Sequence, residues 1–475
     1  MKKLIIVSLS VLTMASCTKD IESYNERTKS YSNVPAETLF SNGVRNLTDA
    51  LASASVNVNV FRYTLQQWAA TTYQDEPNYD FITRNIPQTW WRTLYRDVLT
   101  DLKESARLLQ EDETVVEAEK KNKLAIIDMM QVYTFTVLVN TYGNIPYADA
   151  LDYNVLFPKY DDAKTVYDDL ITRLTADVAA LDPAVTGISD DQDLLYGGDV
   201  AAWKTFGNSL LIRMAMTIAD VDDAKAKSIV ESVNASAFMS PDDNAEFEYL
   251  AATPNTNPIW VDLVQSLRQD VVAGKPFIDK IKEMGDPRLP LYFRPNSDGE
   301  YVGGVVGANN TFATVAKPSE AMVAPDFPAL LLDYVEIEFF RAEAVERGYA
   351  IDGTAAEHYE NAIRASILYW GGTETEADAY LAKPAVAYAT ATGTWKEKIG
   401  LQKWIGLYNR PFADWTEIRR LDYPVLPEPA AAKSGFPVRL EYPQNEQQLN
   451  GPNYTSASSS IGGDDVETKL WWDKF

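Results

Sequence analysis

Two consecutive stretches late in the chain repeat apolar side chains at helical spacing, and they limit what the chain can fold into. In 328–349, Leu330, Tyr334, Ile337, Phe340 and Ala344 share one face, and Gly348 ends the run. In 354–370, Ala356, Tyr359, Ile363, Ile367 and Trp370 do the same. Ala342, Ala344 and Ala362 are small where two helices must approach closely. A short connection between two such stripes makes the helices antiparallel neighbours, each burying its apolar face against the other. A pair of this size cannot bury a core alone, so it must stack on further pairs.

The same period recurs upstream. Phe40, Val44, Leu47 and Leu51 follow Pro35, and Leu94, Val98, Leu102 and Leu109 line up within 91–110. Val166, Leu170, Leu174, Val178 and Leu181 align in 161–181, which Asp182-Pro183 closes. Residues 200–219 and 224–233 form another pair. Leu124–Tyr142 is apolar on most faces, interrupted by Asp128, Gln131 and Asn140 and closed by Gly143 and Pro146. That pattern predicts the central helix of a large helical core rather than a membrane span. The expected fold is mostly α, a scaffold of helix-turn-helix pairs over 35–236 and 328–371. The pairs are similar to tetratricopeptide (TPR) units, without their strict repeat. Between 238 and 327 the period fades into PNTNP (254–258), GDPRLP (285–290) and GGVVGANN (303–310), which predict short strands and loops. From 372 to 475 helices and loops mix, with a tail at 427–467 rich in Pro, Gly, Ser and Asn. Long irregular segments on a rigid scaffold are where binding residues are usually carried.

Residues 1–16, MKKLIIVSLSVLTMAS, have the layout of a secretory signal. Lys2 and Lys3 lead, Leu4–Met14 is mostly apolar, and Ala15 and Ser16 are small. Cys17, the chain's single cysteine, follows at once, as in a bacterial lipobox where the thiol is diacylated. Residues 17–33 are then a lipidated Cys and polar tether, and the chain is anchored to a membrane rather than spanning one. Thr18-Lys19-Asp20-Ile21-Glu22 resembles the surface-export signal of Bacteroidetes-type outer-membrane lipoproteins.

Composition removes several chemistries. One Cys and one His rule out an intrachain disulfide, Cys/His zinc sites of the usual spacing and most His-dependent catalysis. His358, mid-helix in Glu-His-Tyr-Glu, reads as structural. No G-x-S-x-G, Walker loop or strand-linked G-x-G-x-x-G occurs. With 68 acidic residues, carboxylate pairs of glycosidase type are everywhere and decide nothing. A net charge of -25 repels phosphate backbones, so no nucleic-acid partner is expected. No cofactor or metal site is expected, and no EF-hand loop fits, although a structural calcium held by loop carboxylates and carbonyls stays open.

Aromatic residues are abundant: 26 Tyr, 17 Phe and 11 Trp. Nine fall within 61–95, interleaved with Gln66, Gln67, Gln74, Asp75, Glu76, Asn78 and Arg84. A ring beside an amide or carboxylate suits sugar recognition, because the ring packs on the C–H face while polar groups bond the hydroxyls. Trp90, Trp91 and Tyr95 open a helix and read as core. Tyr73 and Tyr79 flank Asp75 in a Pro-containing polar loop and divide evenly between core and ligand face. Trp260, Tyr301 and Asn309, in the irregular middle, divide in the same way.

A series of longer stretches carries a family resemblance. They are QQWAATTYQDEPNYD (66–80), NTYGNIPYADAL (140–151), YGGDVAAWKTFGNSLLIRMAM (196–216), GDPRLPLYF (285–293) and FFRAEAVERG (339–348). QKWIGLYNRPFADWTEIRRLDYP (402–424), RLEYPQNEQQLN (439–450) and LWWD (470–473) continue it. In this order, behind a lipobox, the chain resembles the SusD/RagB-like nutrient-binding outer-membrane lipoproteins of Bacteroidetes. The resemblance covers 34–475 and implies four TPR-like pairs forming an α-α superhelix, with loops as the ligand face. It implies no catalysis and a SusC-like TonB-dependent barrel transporter as partner, over which the lipoprotein acts as a lid. The cargo it implies is an oligosaccharide or a peptide. The matching motifs read as scaffold: GNIPY as a stop and turn, NSLLIRMAM as a buried helix face, QKW and EIRR as salt bridges and packing. They name no ligand contact. A surface glycosidase and a protein-binding TPR scaffold are the alternative readings. The acidic surface disfavours sulfated or uronic-acid-rich glycans unless a local basic patch or calcium intervenes.

Overall fold

The computed structural model describes residues 34–475. Cys17 and the 17–33 tether lie outside the described residues.

Helices follow one another in packed pairs. α1 (Ala36–Ala52) packs on α2, which runs from Ile86 to Glu111 with Thr93–Leu99 wound as a π-helix. α3 (Glu117–Tyr142) packs on α4 (Ala163–Ala180), and α5 (Val200–Thr217) on α6 (Asp223–Val233). α7 (Lys275–Met284) stands in the irregular middle. α8 (Tyr334–Glu346) packs on α9 (Ala355–Tyr369), and α10 (Trp395–Gly406) on α11 (Pro411–Leu421). The fold is mostly α and TPR-like. Among the described residues, three short antiparallel pairings complete it: β1 (Trp68–Ala70) with β3 (Val271–Ala273), β2 (Ala245–Phe247) with β6 (Ala329–Leu332), and β4 (Phe293–Arg294) with β5 (Lys317–Pro318).

Local chemistry sets the helix starts. Asp162 accepts from the Thr165 amide at 2.9 Å, and Asp199 from Ala201 at 2.8 Å. Thr354 with Glu357, and Thr394 with Glu397, form reciprocal capping boxes. Asp333 accepts from the Glu336 amide at 2.8 Å, which moves one expected boundary. The helix read from 328 begins only at Tyr334, and Leu330 lies in β6, pairing with Glu246. α7 falls where only strands and loops were expected. Pro276 sits in its first turn, Gly285 at φ 59 ends it, and Phe277, Ile278, Ile281 and Met284 are buried. The tail likewise holds two helices, Gln444–Leu449 and Gly451–Ser460.

α3 is the central helix: 83% of its apolar stretch is buried inside the protein. Buried ion pairs tie α8, α10 and α11 together. Arg420 meets both oxygens of Glu343, at 2.6 and 2.5 Å, and Glu417 at 2.6 Å. Lys403 pairs with Glu417. Arg410 reaches Asp333 at 2.7 Å and also Glu336, which Arg213 of α5 meets at 2.6 Å. Burial pushes the Glu343 carboxyl up, but Arg420 and Arg347 outweigh it and hold it at about 2. The EIRR and QKW stretches therefore act as scaffold. Most buried apolar residues form one core. A separate small cluster, Ala69, Val272, Val306 and Val315 with Phe312 against it, lies under the loop-rich region.

Candidate ligand-binding face

The loops that face solvent over this small cluster are tied by their backbones. The Gly274 amide donates to Gln67 O at 2.9 Å, Lys275 to Gly304 O at 2.8 Å and Gly304 to Ala273 O at 2.8 Å. The chains come so close that a Cβ on Gly274 would lie 2.0 Å from Gln66 O, so only glycine fits. Asn78, 4% exposed, is the hub. Its Nδ2 donates to Gln74 O at 2.8 Å and Gly307 O at 3.0 Å. Its Oδ1 accepts from the Ala431 amide at 2.9 Å, and its carbonyl accepts from Lys433 at 2.8 Å. One side chain thus fixes three loops, 74–80, 303–310 and 426–436.

Backbone strain concentrates here. Gln66 (φ 55), Tyr73 (φ 60), Tyr79 (φ 65), Asn85 (φ 54) and Leu267 (φ 53) are left-handed without being glycine. Such conformations gather where the surroundings over-determine them, often at functional sites. Several buried polar atoms here have no hydrogen-bond partner among the described residues: Gln66 Oε1, Gln74 Oε1, both Glu76 oxygens and Asp270 Oδ1. Burial pushes the Glu76 carboxyl up to about 7, with Arg84 Nε 3.1 Å away but not aligned to donate.

Three of the residues singled out in the sequence meet on this face. Tyr73 is 54% exposed, and the Arg84 guanidinium stacks 4.5 Å from its ring centre. Asp75 lies 3.4 Å from Arg84 Nε. Asn309 is exposed and accepts from Gln74 Nε2 at 3.4 Å. The result is a ring with one backed face, a carboxylate and two amides.

The other three are placed differently. Tyr79 is 5% exposed, its ring edge-on to Phe436 at 6.2 Å. Its hydroxyl accepts from Gln66 Nε2 at 2.9 Å, and burial pushes that hydroxyl up to about 12. It offers solvent no free ring face, because the αL turn at Tyr79 directs the side chain under the loop. Tyr301 is half-buried against the main core, and its carbonyl accepts from Lys282 Nζ at 2.9 Å. Trp260 is half-buried at the end of the turn Pro258–Trp260, which leads into the π-helical turn Val261–Gln265. No hydrogen bond, ion pair or ring contact joins Trp260 or Tyr301 to Tyr73, Asp75 or Asn309 among the described residues.

Sequence reading did not single out Asn78 or Arg84, nor the cleft of about 270 Å³ beyond Thr71, lined in part by Leu267, Arg268, Phe312 and Lys317. The only available signal was the polar interleaving of 66–84. Among the described residues, no group of three or more His, Cys, Asp or Glu is placed to hold a metal ion.

A stack of helix pairs presenting one loop-built, polar and aromatic face defines a helical-repeat scaffold protein. More narrowly, the chain belongs to the SusD-like family, described as starch-binding and associating with the outer membrane, which matches residues 28–443. Among solved structures, a chitin-binding protein is 25% identical with a TM-score of 0.81, covering 93% of this chain and 100% of its own. A chitin-binding SusD homologue from Flavobacterium johnsoniae is 22% identical with a TM-score of 0.78, covering 92% of this chain and 98% of its own. A SusD homologue from Bacteroides fragilis is 22% identical with a TM-score of 0.77, covering 93% and 100%. No curated protein matches the chain.

Proposed function

We propose that the protein is a cell-surface glycan-binding lipoprotein of the outer membrane. It is anchored through Cys17, captures an oligosaccharide without cleaving it, and delivers it to a SusC-like TonB-dependent transporter. The observation that carries this reading is the Tyr73–Arg84 platform beside Asp75, Gln74 and Asn309, exposed on a face whose backbone is strained and tightly tied. A sugar ring stacks its C–H face on such a ring while amide and carboxylate groups take its hydroxyls. Family membership and the chitin-binding names of two structural neighbours support glycan as the cargo class. The anchor and the transporter rest on the lipobox and on the family resemblance.

The test is affinity electrophoresis of the soluble chain beginning after Cys17, in gels containing different polysaccharides, chitin-derived glycans included. The same polysaccharides are analysed for cleavage. Retardation without cleavage, lost in Tyr73→Ala, is the expected result. Cleavage would overturn the reading, as would retardation on no glycan.

A further inference from the structure

The cleft beside this face carries a charge arrangement that the fold does not require. Lys317 and Arg294 stand directly opposite one another in the β4–β5 pair. Like charges in that position oppose pairing. Arg294 turns outward and pairs with Glu320. Lys317 turns inward. It is 8% exposed, and its Nζ lies 4.8 Å from the centre of the Phe312 ring. Among the described residues it has no carboxylate within salt-bridge distance and no hydrogen-bond acceptor, yet it lines the cleft. Across the cleft, Arg268 is held by Asp270 at 2.5 Å, with Asp262 at 3.9 Å.

The stem of Lys317 is covered while its Nζ reaches the solvent of the cleft, and partial burial together with the Arg294 charge lowers its proton affinity. The wall also carries Gln269 and the Arg294–Glu320 pair, and Leu263, Val264, Leu267, Val271 and Val323 give it an apolar stretch. Leu267, left-handed at φ 53, holds its side chain 81% exposed at the rim, next to Val264. In a chain of net charge -25, a pocket that isolates a cation is a local exception. The cleft is continuous with the face already described: the Thr71 amide donates to Asp270 O at 3.0 Å, and Thr71 Oγ1 donates to Gln269 O at 2.8 Å. Thr71 is two residues from Tyr73.

We propose that this cleft receives the acidic group, a carboxylate or sulfate, of an anionic glycan, with Lys317 as its counter-charge and the apolar stretch of the wall against a sugar C–H face. The proposal rests on the glycan-binding reading and narrows it to acidic cargo.

Calorimetric titration of the soluble chain tests it with tetragalacturonate, a sulfated galactan oligosaccharide of similar length, and their methyl-esterified and desulfated forms. At least one acidic oligosaccharide should bind, and its neutralised form should bind about tenfold to a hundredfold more weakly, as loss of one charged hydrogen bond implies. Which acidic form binds tells carboxylate from sulfate. Lys317→Met should lose the acidic preference while melting no lower than the parent, since among the described residues the ammonium has no hydrogen bond or ion pair to lose. The acid-against-neutral comparison on the parent protein needs no variant. Equal binding of acidic and neutral forms would overturn the proposal, as would undiminished binding of the acid by K317M. Binding of neutral chitin oligosaccharides with none of the acidic probes would overturn it and leave the glycan-binding reading standing. Binding of no glycan at all, or only of acidic peptides, would overturn both.

Discussion

Replacing Asn78 with alanine should loosen the ligand face while leaving the helical scaffold intact. The side chain makes three hydrogen bonds, to Gln74 O, Gly307 O and the Ala431 amide, at 2.8, 3.0 and 2.9 Å. Each is worth roughly 1 kcal/mol net, so about 3 kcal/mol of local order is lost. In an opening equilibrium that is about 150-fold. The hydrogen bond from Lys433 to the Asn78 carbonyl survives the change, because it uses the backbone. Amide hydrogen exchange reads the effect directly. The Ala431 amide should exchange about a hundredfold faster, and Lys433 less so. Amides in the middle of α3 should keep the parent rate, since none of the lost bonds touches the main core. Glycan affinity should fall together with Ala431 protection. Unchanged exchange at Ala431 would refute the hub, and equal acceleration in α3 would refute the separation of face from scaffold.

Tyr79→Ala should destabilise by about 3 kcal/mol or more, because its ring is buried, and a denaturant titration would show this as a lower midpoint. Tyr73→Ala, at an exposed ring, should shift stability by only about 0.5 kcal/mol while weakening glycan retardation in affinity gels. Acid should destabilise the protein through Glu343: its folded carboxyl titrates at about 2 against an ordinary 4.5, so the folded state holds the proton less readily. That contribution is complete above pH 4.5 and is lost as pH falls towards 2, and E343Q should flatten the fall of the urea midpoint over this window. Cys17→Ala should move the protein from the membrane fraction to the soluble fraction with its far-ultraviolet dichroism unchanged.

The scaffold was legible because helical burial repeats in the chain. Ile337, Phe340, Tyr359 and Ile363 all lie in the core where the period put them. Leu330 escaped because an apolar run of four residues reads alike as strand or helix, and only the cap at Asp333 separates them. α7 escaped because Pro276 and Gly285 look like breakers, although they stand at the two ends a helix tolerates. The face was half legible. Polar residues between aromatics mark a loop that brings rings to the surface, but whether Tyr79 points out or in depends on a backbone angle that long-range ties impose. Lys317 carried no local signal, since its isolation arises from Arg294 opposite and Phe312 beneath, which the chain brings together only on folding.

The small cluster of Ala69, Val272, Val306 and Val315 has a consequence for how such proteins change over generations. Four aliphatic side chains support the outer loops outside the main core, so a substitution among them should couple little to one in the middle of α3. On the glycan-binding reading, a change of cargo is then made at the exposed loop positions such as Tyr73 and Asn309, while Tyr79, which belongs to the main core, has to stay. Neighbours that superpose over more than nine-tenths of this chain while sharing 22–25% of its residues show that the helix stack itself tolerates wide change of sequence.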